Sequence, residues 1–174
     1  MASGPRSGSP VVHEDMPGVE LRCQLNVTEG QVEIRYEVYN GGESSVVVMA
    51  SAENPESPII EASERPGVVE IGERAWGAAI VEFPKARAAT LLRPRDTFRK
   101  EISLQRPVER SVPYPDMSGN TPFPDPADAV SFCVGVAYQG DAPRGVLLGD
   151  DNTVQHEIRS VLAQRLLCTE PIPF

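Results

Sequence analysis

The chain has 174 residues, 40% of them hydrophobic and 24% charged, a composition that supports one packed domain and excludes wholesale disorder. Acidic residues outnumber basic ones 25 to 16, and the formal net charge of −9 argues against phosphate backbones and anionic lipid as partners. The opening "MASGPRSGSP" has no apolar run of signal-peptide type, and no later stretch approaches the ~18 apolar residues of a membrane span, so a cytoplasmic protein is expected unless a leader precedes it.

Residues 1–17, rich in Gly, Ser and Pro, read as a flexible N-terminal arm, and 18–174 as a single domain. In "VELRCQLNVT" Val19, Leu21, Cys23, Leu25 and Val27 alternate with polar residues, the period-two signature of a strand with one buried face. A tight turn at Gly30 leads into "VEIRYEVYN", where Val32, Ile34, Tyr36 and Val38 alternate again, so the two segments form a hairpin. "NGGE" is a second turn, and "SSVVVMA" behind it is dense enough for a central strand. Residues 51–67 carry three prolines and no periodicity, hence loop. Short strands are expected at Val68–Ile71 and around Trp76–Phe83, and another in "TFRKEISLQ", where Lys100 among Phe98, Ile102 and Leu104 points to a sheet edge.

The stretch "SVPYPDMSGNTPFPDP" holds prolines at 113, 115, 122, 124 and 126 and reads as a stiffened loop of the same domain, pinned by Tyr114 and Phe123. "AVSFCVGVAYQ" follows, with Val130, Phe132, Val134, Val136 and Tyr138 forming the strongest alternating row of the chain. The spacing of Val154, Ile158, Val161 and Leu162 allows a short helical turn near 153–159, with a last strand near 162–168.

About seven to eight short strands with turn signals between them and little helix define an all-β, antiparallel β-sandwich with long irregular loops. From Val19 to Cys168 the pattern resembles an immunoglobulin-like domain, through the "V-x-N-G-G" exit of the second strand and the proline-turn-strand lead "RPRDTFRKEISL". Ser131 stands where antibody-type domains carry a tyrosine two residues before a cysteine, and "SSVVVMA" has no tryptophan. Cys133 shares its parity with Ser131, Gly135 and Ala137, opposite the bulky row, so an inter-sheet disulfide is not expected. Three cysteines, at 23, 133 and 168, with no C-x-x-C, suggest free thiols in a reducing compartment, with one disulfide and a spare thiol as the alternative if a leader precedes the sequence.

Chemistry is sparse. The only histidines are His13 and His156, no G-x-S-x-G occurs, and no cysteine has a histidine nearby in sequence. "HED" at 13–15 and "GDDNTVQHE" at 149–157 collect oxygen ligands, but the second matches no EF-hand spacing, and Asp150, Asp151 and Asn152 suit a helix cap. Acidic residues such as Glu33 and Glu37 alternate with apolar ones on strands and face solvent. The sequence therefore assigns no catalytic, cofactor or metal-binding residue. It points to a non-enzymatic module binding another protein, with Tyr114, Pro115, Asp116, Met117 and Phe123 as the contact loop. A proteinase inhibitor presenting this proline-rich loop, and a hydrolase with a concealed carboxylate or metal site, are the alternatives.

Overall fold

A computed structural model describes residues 6–7, 9–52, 57–75, 88–112, 122–141, 147–148, 153–155 and 164–174. The chain opens with two short strands, β1 (Arg6–Ser7) and β2 (Val11–His13), then the long pair β3 (Met16–Val27) and β4 (Gln31–Asn40). Next come β5 (Val46–Val48), β6 (Ile59–Ala62), β7 (Val68–Glu73) and β8 (Ala88–Leu92). Two more long strands, β9 (Thr97–Gln105) and β10 (Ala129–Tyr138), precede four short ones: β11 (Leu147–Leu148), β12 (Thr153–Gln155), β13 (Arg165–Cys168) and β14 (Ile172–Pro173).

The first sheet runs β1–β3–β4–β9, with β2 also on β3, and is antiparallel throughout. The second is mixed and centred on β10, which pairs parallel with β7 and antiparallel with β5, β13 and β14. Val134 pairs with both Glu73 and Leu167, and Val136 with both Val48 and Arg165. One edge of β10 is therefore shared by β7 and β5 in succession, while β13 lies on the other. β6 extends the sheet beyond β7, and β8, β12 and β11 extend it beyond β5. The fold is all-β, two sheets forming a sandwich and not a barrel.

The alternating apolar rows explain the stacking. Leu21, Cys23 and Leu25 of β3 and Val32, Ile34, Tyr36 and Val38 of β4 pack in one core with Val69, Ile71, Val130, Phe132, Val134 and Val136. The Tyr36 ring lies 4.7 Å from Phe132, across the seam between the sheets, and 6.0 Å from Phe98 on the neighbouring strand of its own sheet. Burying a side chain such as Phe132, fully enclosed here, contributes about 2–3 kcal/mol.

The hairpin and the strands at 97–105 and 129–138 lie where the alternation places them. The described strands number fourteen, more than the seven to eight expected, because six of them have only two or three residues and two more have four. The helical turn near 153–159 is corrected at its start: Thr153–Gln155 is strand, paired with β8 and β11. Spacing alone cannot separate the two states over so few residues, and here a neighbouring strand accepts the backbone hydrogen bonds. The terminal strand is Arg165–Cys168, inside the expected window. Residues 76–87, with the strand expected around Trp76–Phe83, lie outside the described residues, as do 156–163. Arg6–Ser7 and Val11–His13, inside the expected arm, are laid along β3 as strands. No helix among the described residues is long and apolar enough to cross a membrane.

Both ends of the proline-rich stretch are attached to this sandwich. After β9 the chain crosses to the second sheet, where Ser111 and Ile60 exchange two backbone hydrogen bonds of 2.8 Å. On the far side, Phe123 is half-buried against the main core with the Arg110 guanidinium 5.7 Å from its ring centroid.

Candidate functional site

The outer face of the second sheet carries the densest chemistry among the described residues. Inward-facing Val69 and Ile71 leave Glu70 and Gly72 pointing outward on β7, and inward-facing Val130, Phe132 and Val134 do the same for Ser131 and Cys133 on β10. The register then sets Glu61 of β6 opposite Glu70, Glu70 beside Ser131, and Cys133 directly opposite Cys168 of β13. These groups line a cleft of about 450 Å³ together with Glu64, Arg65, Arg74 and Arg110.

Cys133 and Cys168 form a disulfide, their Cα atoms 4.1 Å apart. The expectation of free thiols is thereby corrected for two of the three cysteines. It failed because pairing depends on the register of β10 against β13, strands separated by a long stretch of chain. The bond joins neighbouring strands of one sheet on its outer face, so the parity argument against an inter-sheet link stands. Cys23 remains a thiol, buried in the core, and burial pushes its pKa up to about 12, far from a nucleophile's range.

The acids beside the disulfide are held differently. Glu61 and Arg74 form a close ion pair, each largely shielded from solvent. Glu70 has no ion-pair partner among the described residues; removal from water, aided by the charge of Glu64, raises its carboxyl above the ordinary value of 4.5. Its carboxylate and both sulfurs lie within 4.8 Å of one another. A soft metal would need both cysteines as thiolates, and in the disulfide their sulfurs are bonded to each other.

A second polar feature lies between the sheets. Lys100, on the inward face of β9 at the edge of the first sheet, donates to Glu73 at the end of β7 over 2.5 Å, with side-chain exposures of 9% and 1%. The edge position read from Lys100 agrees with the strand order, and the physical reason is an inward charge with a dedicated partner in the facing sheet.

The remaining sequence candidates are dispersed. Of the contact loop, Phe123 is a half-buried packing residue, and Tyr114, Pro115, Asp116 and Met117 lie outside the described residues. In "HED", Asp15 accepts from Arg165 over 2.8 Å and tethers the β2–β3 turn to β13. Within the "RPRDTFRKEISL" lead, Arg95, at φ 73°, donates to the carbonyls of Gly41 and Gly42 and to Glu43, and Arg99 pairs with Glu37. Residues 149–152 and 156–157 of the acidic stretch lie outside the described residues. Sequence reasoning missed Glu70, Cys133 and Cys168 as one group. The available signal was a cysteine at a small-residue position of the central strand and another in the last expected strand. Comparison with protein-family models, curated proteins and solved structures finds no match to this chain.

Proposed function

We propose that this chain is a non-enzymatic, immunoglobulin-like binding module whose partner is another protein, engaged at the outer-face cleft of the second sheet and the proline-rich segment leaving its rim. The observation that carries the reading is a junction: Arg110 lines the cleft, Ser111 is bonded to the β6 edge, and residues 113–121 begin one position beyond Val112. The sheet thus places a concave polar surface beside Ser111 and Val112, where the proline-rich sequence begins, and sandwich domains hold recognition loops at such rims.

Nucleic acid and membrane are not the partners in this reading. The net charge is −9, and on the outer face of the first sheet Arg22, Arg35 and Arg99 are paired with Glu20, Glu101 and Glu37, which leaves no cationic stripe there. The Cys133–Cys168 bond favours an oxidising compartment over the cytoplasm for the folded protein.

The test is capture of a partner from native extract on immobilised protein, repeated with residues 113–121 replaced by a Gly-Ser linker, with Arg110→Glu, and with Arg35→Glu on the opposite sheet. Loss of the same partner from the first two variants and its retention by the third is the expected result. A partner kept by the loop replacement and Arg110→Glu, or lost only with Arg35→Glu, overturns the reading.

A further inference from the structure

We propose that the Cys133–Cys168 pair is a thiol–disulfide exchange site: Cys168 takes the incoming thiolate, Cys133 is the leaving sulfur, and Glu70 supplies and recovers the proton. The reagent is a small thiol or a cysteine of a peptide that enters the cleft. Three observations converge on it. The first is asymmetry: Cys168 is solvent-exposed on β13, whereas Cys133 is 2% exposed on the central strand. A thiolate attacks the sulfur it can reach, so the reachable sulfur dictates which bond forms. The second is the cleft itself, of about 450 Å³, which both cysteines line together with Arg65 and Arg110. The third is a carboxyl group held against both sulfurs, within 4.8 Å.

The leaving group explains why that carboxyl matters. A thiolate expelled from a buried site is poorly solvated, its thiol is weakly acidic, and such a sulfur departs slowly unless it is protonated. Glu70 keeps its proton to higher pH than an exposed glutamate because it is desolvated and faces Glu64. Glu61, directly across on β6, is neutralised by Arg74, and Ser131 is the uncharged neighbour on β10.

The steps balance. The incoming RS⁻ forms an R–S–S bond to Cys168 Sγ, the Cys133–Cys168 bond breaks, and Cys133 receives the Glu70 proton as a thiol. A second RS⁻ attacks the external sulfur, giving RSSR and the Cys168 thiolate, which is protonated from water. Two thiols of the reagent are oxidised and one disulfide of the protein is reduced. In reverse, Glu70 carboxylate takes the Cys133 proton as that sulfur closes on a mixed disulfide at Cys168.

This proposal is independent of the protein partner, and its test uses small thiols alone. Folded wild-type protein is treated with glutathione or dithiothreitol below its unfolding transition, and free thiols are trapped by alkylation and located by mass spectrometry. The expected rate is first order in thiolate, with glutathione found on Cys168 and not on Cys133. Glu70→Gln slows reduction about tenfold or more and removes the fall in rate, normalised to thiolate, as pH rises through the Glu70 titration; Glu70→Asp restores part of it. With oxidised glutathione, Cys133→Ser becomes modified at Cys168, while Cys168→Ser stays unmodified at Cys133. A reduction rate independent of thiol concentration and equal to the unfolding rate, or a Glu70→Gln rate equal to wild type at every pH, overturns the proposal and leaves a purely structural staple.

Discussion

On the first sheet, every second residue along β3 and β4 from Glu20 to Glu37 is polar or charged and looks outward, beside Arg99 and Glu101 of β9. On the second sheet, the equivalent positions of β10 are Ser131, Cys133, Gly135 and Ala137, and all are buried. The inward rows of the two sheets are alike, Val, Ile, Leu and aromatics. The outward rows differ in size and charge, and that difference separates a wet sheet face from a covered one. Small residues admit a second layer: Val47, Met49, Ala75, Ala89 and Ala137 form a minor cluster outside the main core. Gln164 reaches over Gly135 to clamp Ala75 by two hydrogen bonds, its amide NH2 donating to the Ala75 carbonyl and its carbonyl accepting the Ala75 N–H. Glu70 and the disulfide lie on this second face, where removal from water raises the Glu70 carboxyl.

The sharpest test lies where the two sheets meet. Lys100→Met removes the cation that faces the buried Glu73, and a loss of about 3–5 kcal/mol is expected in urea unfolding. Combining it with Glu73→Leu recovers most of that loss. A single-variant cost no larger than that of a surface pair would mean that polar groups are tolerated alike inside and outside the sandwich. Next comes the disulfide, whose cysteines are 35 positions apart. Replacing both by alanine removes a cross-link of that loop and lowers stability by about 2–4 kcal/mol, read from the same transition.

Gly135→Ala sharpens the comparison on the covered face alone. Its methyl group collides with the Gln164 carbonyl oxygen, and displacing the clamp costs about 1–3 kcal/mol. Alanine at an outward position of the wet sheet, such as Gln24→Ala, is expected to stay within about 0.5 kcal/mol. The Glu70 carboxyl adds a pH signature: because its folded pKa is raised, its contribution is fully present below the ordinary value of 4.5 and is lost as pH rises through the raised value. Glu70→Gln flattens that part of the stability–pH curve. The smallest effect belongs to the wet face, where Arg35 and Glu101 pair at 3.3 Å with about 70% of each side chain exposed. Arg35→Ala changes stability by less than about 1 kcal/mol, and raising the salt concentration shrinks the difference.

Much of the sandwich was legible along the chain. The rows Val19–Leu25, Val32–Val38 and Val130–Tyr138 declare their inner faces because the strand repeat is two residues, and a local rule needs only local sequence. "TFRKEISLQ" was readable in the same way, down to the charge that marks its edge. The short strands were less so. β11, β12 and β14 have two or three residues each, too few for any period, and exist because a neighbour's backbone accepts them.

By itself, then, the sequence determined an all-β chain, the inward rows of its long strands and the hairpin at Gly30. Only the tertiary structure decided that β7 runs parallel beside β10, that Lys100 meets Glu73, and that Cys133, Cys168 and Glu70 share one cleft. The physical reason is register. Alternation says which way a side chain faces, but which residue of a distant strand stands beside it is settled when the sheets pair and pack.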